Sequence, residues 1–155
     1  MVMKLTAIHD VIVAVTAALD AAVSYKVFDG PISKRPGRGD SVFVTIGSID
    51  PFNDEDGNPV ESASMNQVWK GLGQPARDED LHIPCCAVGK SSTVPLARAL
   101  ALNAVQDAFN SIGLHPTNEV YNALVSDVTA IESKNVAGGS VVIAHFVITA
   151  SARLT

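Results

Sequence analysis

A chain of 155 residues and 16.2 kDa is the size of one compact domain, and such a domain buries roughly 70% of the surface its unfolded chain exposes, so it needs no disulfide or metal staple. With 47% hydrophobic residues and a mean hydropathy of +0.24 it is too apolar for a disordered chain, while its uncharged apolar runs stop short of the ~20 residues of a membrane helix. Eleven basic against sixteen acidic residues give a net charge of −5 and a pI near 5.2, the wrong sign for a surface that wraps DNA or anionic lipid.

Ile8, Val11, Ile12, Val15, Ala18, Leu19 and Ala22 follow three-four spacing, with His9, Asp10, Thr16 and Asp20 mostly turned elsewhere, which predicts an amphipathic helix over about Thr6 to Val23. Lys4 ahead of Val11 to Leu19 imitates a signal peptide, but Asp10 and Asp20 bracket the run; assembly inside the cell is expected. Ser24 to Phe28 alternates as a short strand and stops at the turn sequence Asp29-Gly30-Pro31. Ile32 to Asp40 carries Lys34, Arg35 and Arg38 among proline and glycine, and reads as a solvated basic loop. The β-branched density of Val42 to Ile49 predicts a strand.

Asp50, Asp54, Glu55, Asp56 and Glu61 place five acids in twelve residues with no apolar period. This predicts a projecting acidic loop at about 50–65, either solubilising or a docking arm, since it is longer than a simple connection requires. Strand character returns at Gln67 to Leu72 and at Leu81 to Val88, separated by a turn-like Gly73 to Asp80.

Ser91-Ser92-Thr93 before Pro95 signals a helix start, and Leu96, Leu100, Ala104, Val105, Phe109 and Ile112 then repeat at helical spacing up to Gly113. The second helix is expected over Val94 to Ile112, followed by a connector at His115 to Asn118 and a strand from Tyr121 to Ile131. Ala137-Gly138-Gly139 turns the chain into a last strand. One of its faces, Val142, Ala144, Phe146, Ile148, Ala150, Ala152 and Leu154, is apolar throughout and must meet the helices. The other reads Val141, Ile143, His145, Val147, Thr149, Ser151 and Arg153, too apolar at one end to stand in water. A second subunit is expected to cover part of it; a loop of the same chain is the alternative. Helix, strands, helix, strands lacks the alternation of a doubly wound fold, so the expected class is α+β: a single mostly antiparallel sheet with two helices packed on one face.

Candidate chemistry is sparse. Gly89-Lys90-Ser91 imitates the end of a phosphate-binding loop, but the glycine required five residues earlier is Pro84, which leaves a small nucleotide-binding enzyme as a remote alternative. Arg38-Gly39-Asp40 is an integrin-ligand tripeptide too short to carry weight. His9, His82, His115 and His145 have no ligand spacing, so no metal or other cofactor is expected. Cys85 and Cys86 are adjacent and point to opposite faces of a strand, which excludes a mutual disulfide of normal geometry, and no base neighbours either in sequence. Trp69 is either core or an interface anchor. By exclusion, the chain is expected to act by assembly and not as an enzyme.

The first helix, Tyr25-Lys26-Val27-Phe28-Asp29-Gly30-Pro31, Val42-Phe43-Val44-Thr45-Ile46-Gly47, Trp69 with Ala76-Arg77-Asp78-Glu79, Ile83-Pro84-Cys85, the second helix, and the strand from Gly138-Gly139 to Ala152-Arg153-Leu154 form one pattern. On these residues, over nearly its full length, the chain resembles the phage tail terminator family. It implies a virion protein at the tail–neck junction: a homohexameric ring that caps the tail tube, stops its polymerisation and presents its other face to the head-completion proteins. A head-completion (stopper) protein is the alternative within assembly. Head-to-tail contacts close a ring when each repeats by rotation, and a negative protein lets DNA pass without gripping it. The candidate interface comprises Lys34, Arg35 and Arg38, the five acids, Trp69, and Val141, Ile143, His145, Val147 and Arg153; the oppositely charged loops could steer neighbours into register.

Overall fold

A computed structural model of the chain describes residues 5–32, 41–52, 59, 61–69, 77–112 and 120–154. Helix α1 (Ile8–Ala22) buries Val11, Val15 and Leu19, the stripe its spacing predicts. Strand β1 (Lys26–Asp29) lies parallel to β2 (Ser41–Ile46), which runs antiparallel to the second half of β4 (Arg77–Ser91). Strand β3 (Ser64–Trp69) pairs antiparallel with the first half of β4 on the same side. On its other side β4 is antiparallel to β6 (Gly139–Leu154) over its whole length, and β6 is antiparallel to β5 (Val120–Val136). The sheet order is β1-β2-β4-β6-β5 with β3 beside β4, so β5 forms one edge and β1 and β3 share the other.

Helices α1 and α2 (Val94–Ser111) pack on the same face, in the α+β arrangement expected. The predicted apolar face of β6, Val142 to Leu154 in alternation, meets them, together with Val44, Ile46, Leu81, Ile83, Cys85 and Ala87. Helix α2 buries part of the stripe its spacing predicts, Ala104, Val105 and Ile112, but turns further alanines inward in place of the larger Leu96 and Phe109. Ala97, Ala101, Ala104, Val105 and Ala108 are buried, whereas Leu96 and Phe109 are exposed. The reason is the short distance between helix and sheet. A Cβ placed on Gly89 would stand 2.3 Å from the Ala97 carbonyl oxygen and 2.8 Å from the Ala101 nitrogen, and only small side chains fit such an approach.

Several boundaries move. Strand β2 ends at Ile46, not Ile49, because Gly47 takes φ +80° and both Gly47 and Ser48 donate their N–H groups to the Pro84 carbonyl at 2.9 Å. Strand β3 begins earlier than the expected Gln67, and residues 70–72 lie outside the described residues. Arg77 to Asp80, read as part of a turn, are strand: their charges mask a run that pairs on both sides, with β3 and with β6. Strand β5 continues to Val136, five residues past Ile131, since residues 132–136 owe their extended form to pairing with β6 rather than to any apolar alternation of their own.

Candidate functional site

The face of the sheet away from the helices was the main candidate surface, and the structure divides it in two. At one end Val141 and Ile143 are buried with Phe43, Cys86 and Val88 beneath Phe28, Ile32, Phe52 and Val136 of the same chain. Phe43 meets Phe28 and Phe52 edge-on, with ring centroids 5.9 Å apart in both pairs, and Lys134 lies over the Phe52 ring at 5.4 Å. The expected subunit cover is therefore corrected for Val141 and Ile143, which are sealed from within. The sequence offered the right alternative but no way to choose it, because Phe52 reaches this face only through a tertiary bridge between Ile32 and Phe52.

Toward the other end the face becomes polar and half-buried. His145 stands between Cys86 and Glu132, its Nδ1 3.3 Å from the thiol sulfur and its Nε2 3.5 Å from Glu132 Oε1. Sequence reading missed this base beside Cys86, for the two meet only as cross-strand neighbours of β4 and β6. The arrangement is that of a thiol, a base and an orienting carboxylate, but Cys86 is fully buried beneath the carbonyls of Ser48 and Ile49. Burial, the largest cause, pushes its thiol up to about 12, and the negative charges of Asp50 and Glu132 act in the same direction. A protonated, covered thiol is a poor nucleophile. Cys85 points into the helix-facing core, and burial raises its thiol as well. Beyond Val147, Arg153 Nε donates to Asp78 Oδ1 at 3.0 Å and Ser151 Oγ donates to Asp80 Oδ1 at 3.2 Å.

Gly89-Lys90-Ser91 lies inside β4, with Lys90 buried between Ser41 and Val141 of the flanking strands. A phosphate cradle needs a loop whose amides are free to converge on the ligand; in the ladder these residues are spent on strand pairing. Among the described residues no group of three histidine, cysteine or acidic side chains is placed to hold a metal ion. None of their helices is long and apolar enough to cross a membrane.

Of the charged candidates, Lys34, Arg35, Arg38, Asp54, Glu55 and Asp56 lie outside the described residues. Glu61 is exposed. Asp50 is half-buried and accepts the Phe52 N–H on Oδ1 at 3.0 Å. The N–H of Ile32 donates to the Pro51 carbonyl at 3.0 Å, so the basic and the acidic segment leave the described fold from adjoining points.

A buried polar network that sequence reading did not anticipate joins β3, β4 and the start of α1. Glu79 is fully buried; its Oε1 accepts the Ala7 N–H at 2.8 Å and its Oε2 accepts from Gln67 Nε2. It thus serves from 72 residues away as the acidic partner a helix start usually finds three residues on. Arg77 donates to the Leu5 carbonyl and stacks over Trp69, 5.2 Å from the ring centroid. Trp69 itself is 57% exposed on the edge strand β3, which leaves the anchor reading and removes the core one.

Among the described residues, exposed apolar side chains gather at two edges of the sheet. Met65 and Trp69 stand out from β3, and across the sheet Leu102 and Phe109 of α2 with Val128 and Ile131 of β5 stay exposed. An open groove of about 370 Å³ runs between α2 and β5, lined by Leu102, Val105, Phe109, Val125 and Val128 together with the polar Gln106, Ser126 and Asp127. Among the described residues no strand pairs with the outer edge of β3 or of β5. Compared with protein-family models and with curated proteins, the chain matches none.

Proposed function

We propose that this chain is a structural virion protein of the tail terminator kind: a ring, hexameric by the family resemblance, that caps the phage tail tube, stops its growth and joins it to the neck. The observation that supports this reading best is that, among the described residues, no strand covers the outer edges of β3 and β5, which lie on opposite sides of one sheet and are each flanked by exposed apolar side chains. Edges of that kind are a hazard for a protein that works alone. They suit one whose copies repeat head to tail around an axis. A net charge of −5 suits a passage through which DNA slides, and neighbouring roots for a basic and an acidic segment give stacked rings a means of keying.

The test is tube length. Purified protein added to polymerising tube subunits is expected to give short tubes, each ending in a ring visible in negative stain. Protein that stays monomeric by light scattering and leaves tube growth unchanged would overturn the reading. If its loss leaves tails of normal length unattached to heads, the stopper alternative replaces it.

A further inference from the structure

We infer that the seam between neighbouring copies is made by Trp69 on β3 of one copy entering the groove between α2 and β5 of the next. The inference rests on the ring reading and adds to it the contact that closes the ring.

Three observations converge. The first concerns which side of the sheet each patch is on. Gln67 turns its amide toward buried Glu79 on the helix side, so its alternate neighbours Met65 and Trp69 project to that side as well. Val128 and Ile131 pair with Phe146 and Ala144, both in the core beneath the helices, and therefore extend the same side at the opposite edge. When β3 of one copy meets β5 of another, the two apolar patches fall together.

The second is strand direction. Strand β3 is antiparallel to β4, β4 to β6 and β6 to β5, so β3 and β5 point in opposite directions. Rotation about an axis roughly along the strands preserves direction, and the new pair is then antiparallel, the more favourable arrangement. The donor and acceptor edges differ, so the contact is heterologous and repeats until it closes.

The third is area. Phe109 is 60% exposed, and with Leu102, Val128 and Ile131 the groove side presents roughly 350 Å² of apolar surface. Leu5, 78% exposed and held against β3 by Gln67 and Arg77, adds to Met65 and Trp69 for a similar sum of roughly 350 Å² on the other side. A stable contact takes about 800 Å² per partner, a little over half of it apolar, so each patch supplies most of that share. Tryptophan is also the side chain most often found as the anchor of such a contact.

The double variant Met65→Cys/Ile131→Cys, which keeps Trp69 and uses two exposed positions of the facing patches, treated with a short bis-maleimide in solution and on capped tubes, is expected to give a covalent ladder that extends beyond dimers, while either single variant gives none. Trp69→Ala, at an exposed position, is expected to keep the fold by circular dichroism and to weaken self-association at least about tenfold. Tubes still capped by rings, with no ladder and no effect of Trp69→Ala, would overturn this seam and leave the ring reading standing. Wild-type protein that neither self-associates nor caps tubes would overturn both.

Discussion

Cys86, His145 and Glu132 form the one constellation in the described residues with the outline of a nucleophile, base and orienting acid, and environment decides against its use. The thiol lies under backbone carbonyls and stays protonated far above neutral pH. The same physics makes a prediction about stability. Burial raises Cys85, Cys86 and Tyr25 above their ordinary values, with the Asp107 carboxylate that accepts the Tyr25 hydroxyl at 2.9 Å adding to the effect. In the unfolded chain thiols ionise near pH 9, so above that pH the unfolded state holds fewer protons than the folded one and stability falls as pH rises. Urea midpoints are expected to be level with respect to these groups up to about pH 8 and to drop between pH 9 and 11. The drop should be smaller in Cys86→Ala. Adjacency of the two cysteines on a strand told their opposite faces from sequence. The histidine beside one of them came from another strand and had no local trace.

At the scale of elements, β4 is the member on which the others depend, for β2, β3 and β6 all pair with it and α2 packs across it. Its first four residues were hidden in the sequence by Arg77, Asp78, Glu79 and Asp80, charges that ordinarily mark a turn. Here alternate ones are buried and spent on Leu5, Gln67 and Ala7. Its last third carries Gly89, whose missing side chain sets the height of α2 above the sheet. Gly89→Ala would force a Cβ to within 2.3 Å of a helix carbonyl, and backbone on both sides has no rotamer with which to yield. The expected loss is on the order of 3 kcal/mol, read as a lower urea midpoint with an unchanged slope. Helix α2 was legible in its limits and in part of its face, Ala104, Val105 and Ile112 being buried as their spacing suggests; Leu96 and Phe109 misled, because a close-packed helix selects its alanines.

For the whole molecule, the far side of the sheet matters most. Because Val141 and Ile143 are sealed by Phe28, Ile32 and Phe52 of their own chain, damage there should appear in the single subunit. Ile143→Ala is expected to cost about 2–4 kcal/mol of unfolding free energy and to leave self-association unchanged once folded, as equilibrium unfolding and light scattering would measure. An effect on association alone would put the intersubunit contact back on this face. Only the end of the face at Val141 and Ile143 is sealed in this way; toward Arg153 the face stays partly exposed, as do the side chains at the strand edges.

The sequence alone determined the class of the fold, both helices, the helix-facing side of β6 and the turn at Gly138, because each is written in local periodicity and backbone preference that neighbours along the chain share. Only the tertiary structure decided what covers the second face, which stripe α2 buries, where Trp69 stands and which edges stay open. These depend on the distances between residues far apart in the chain, and burial is a property of such meetings, not of any one segment.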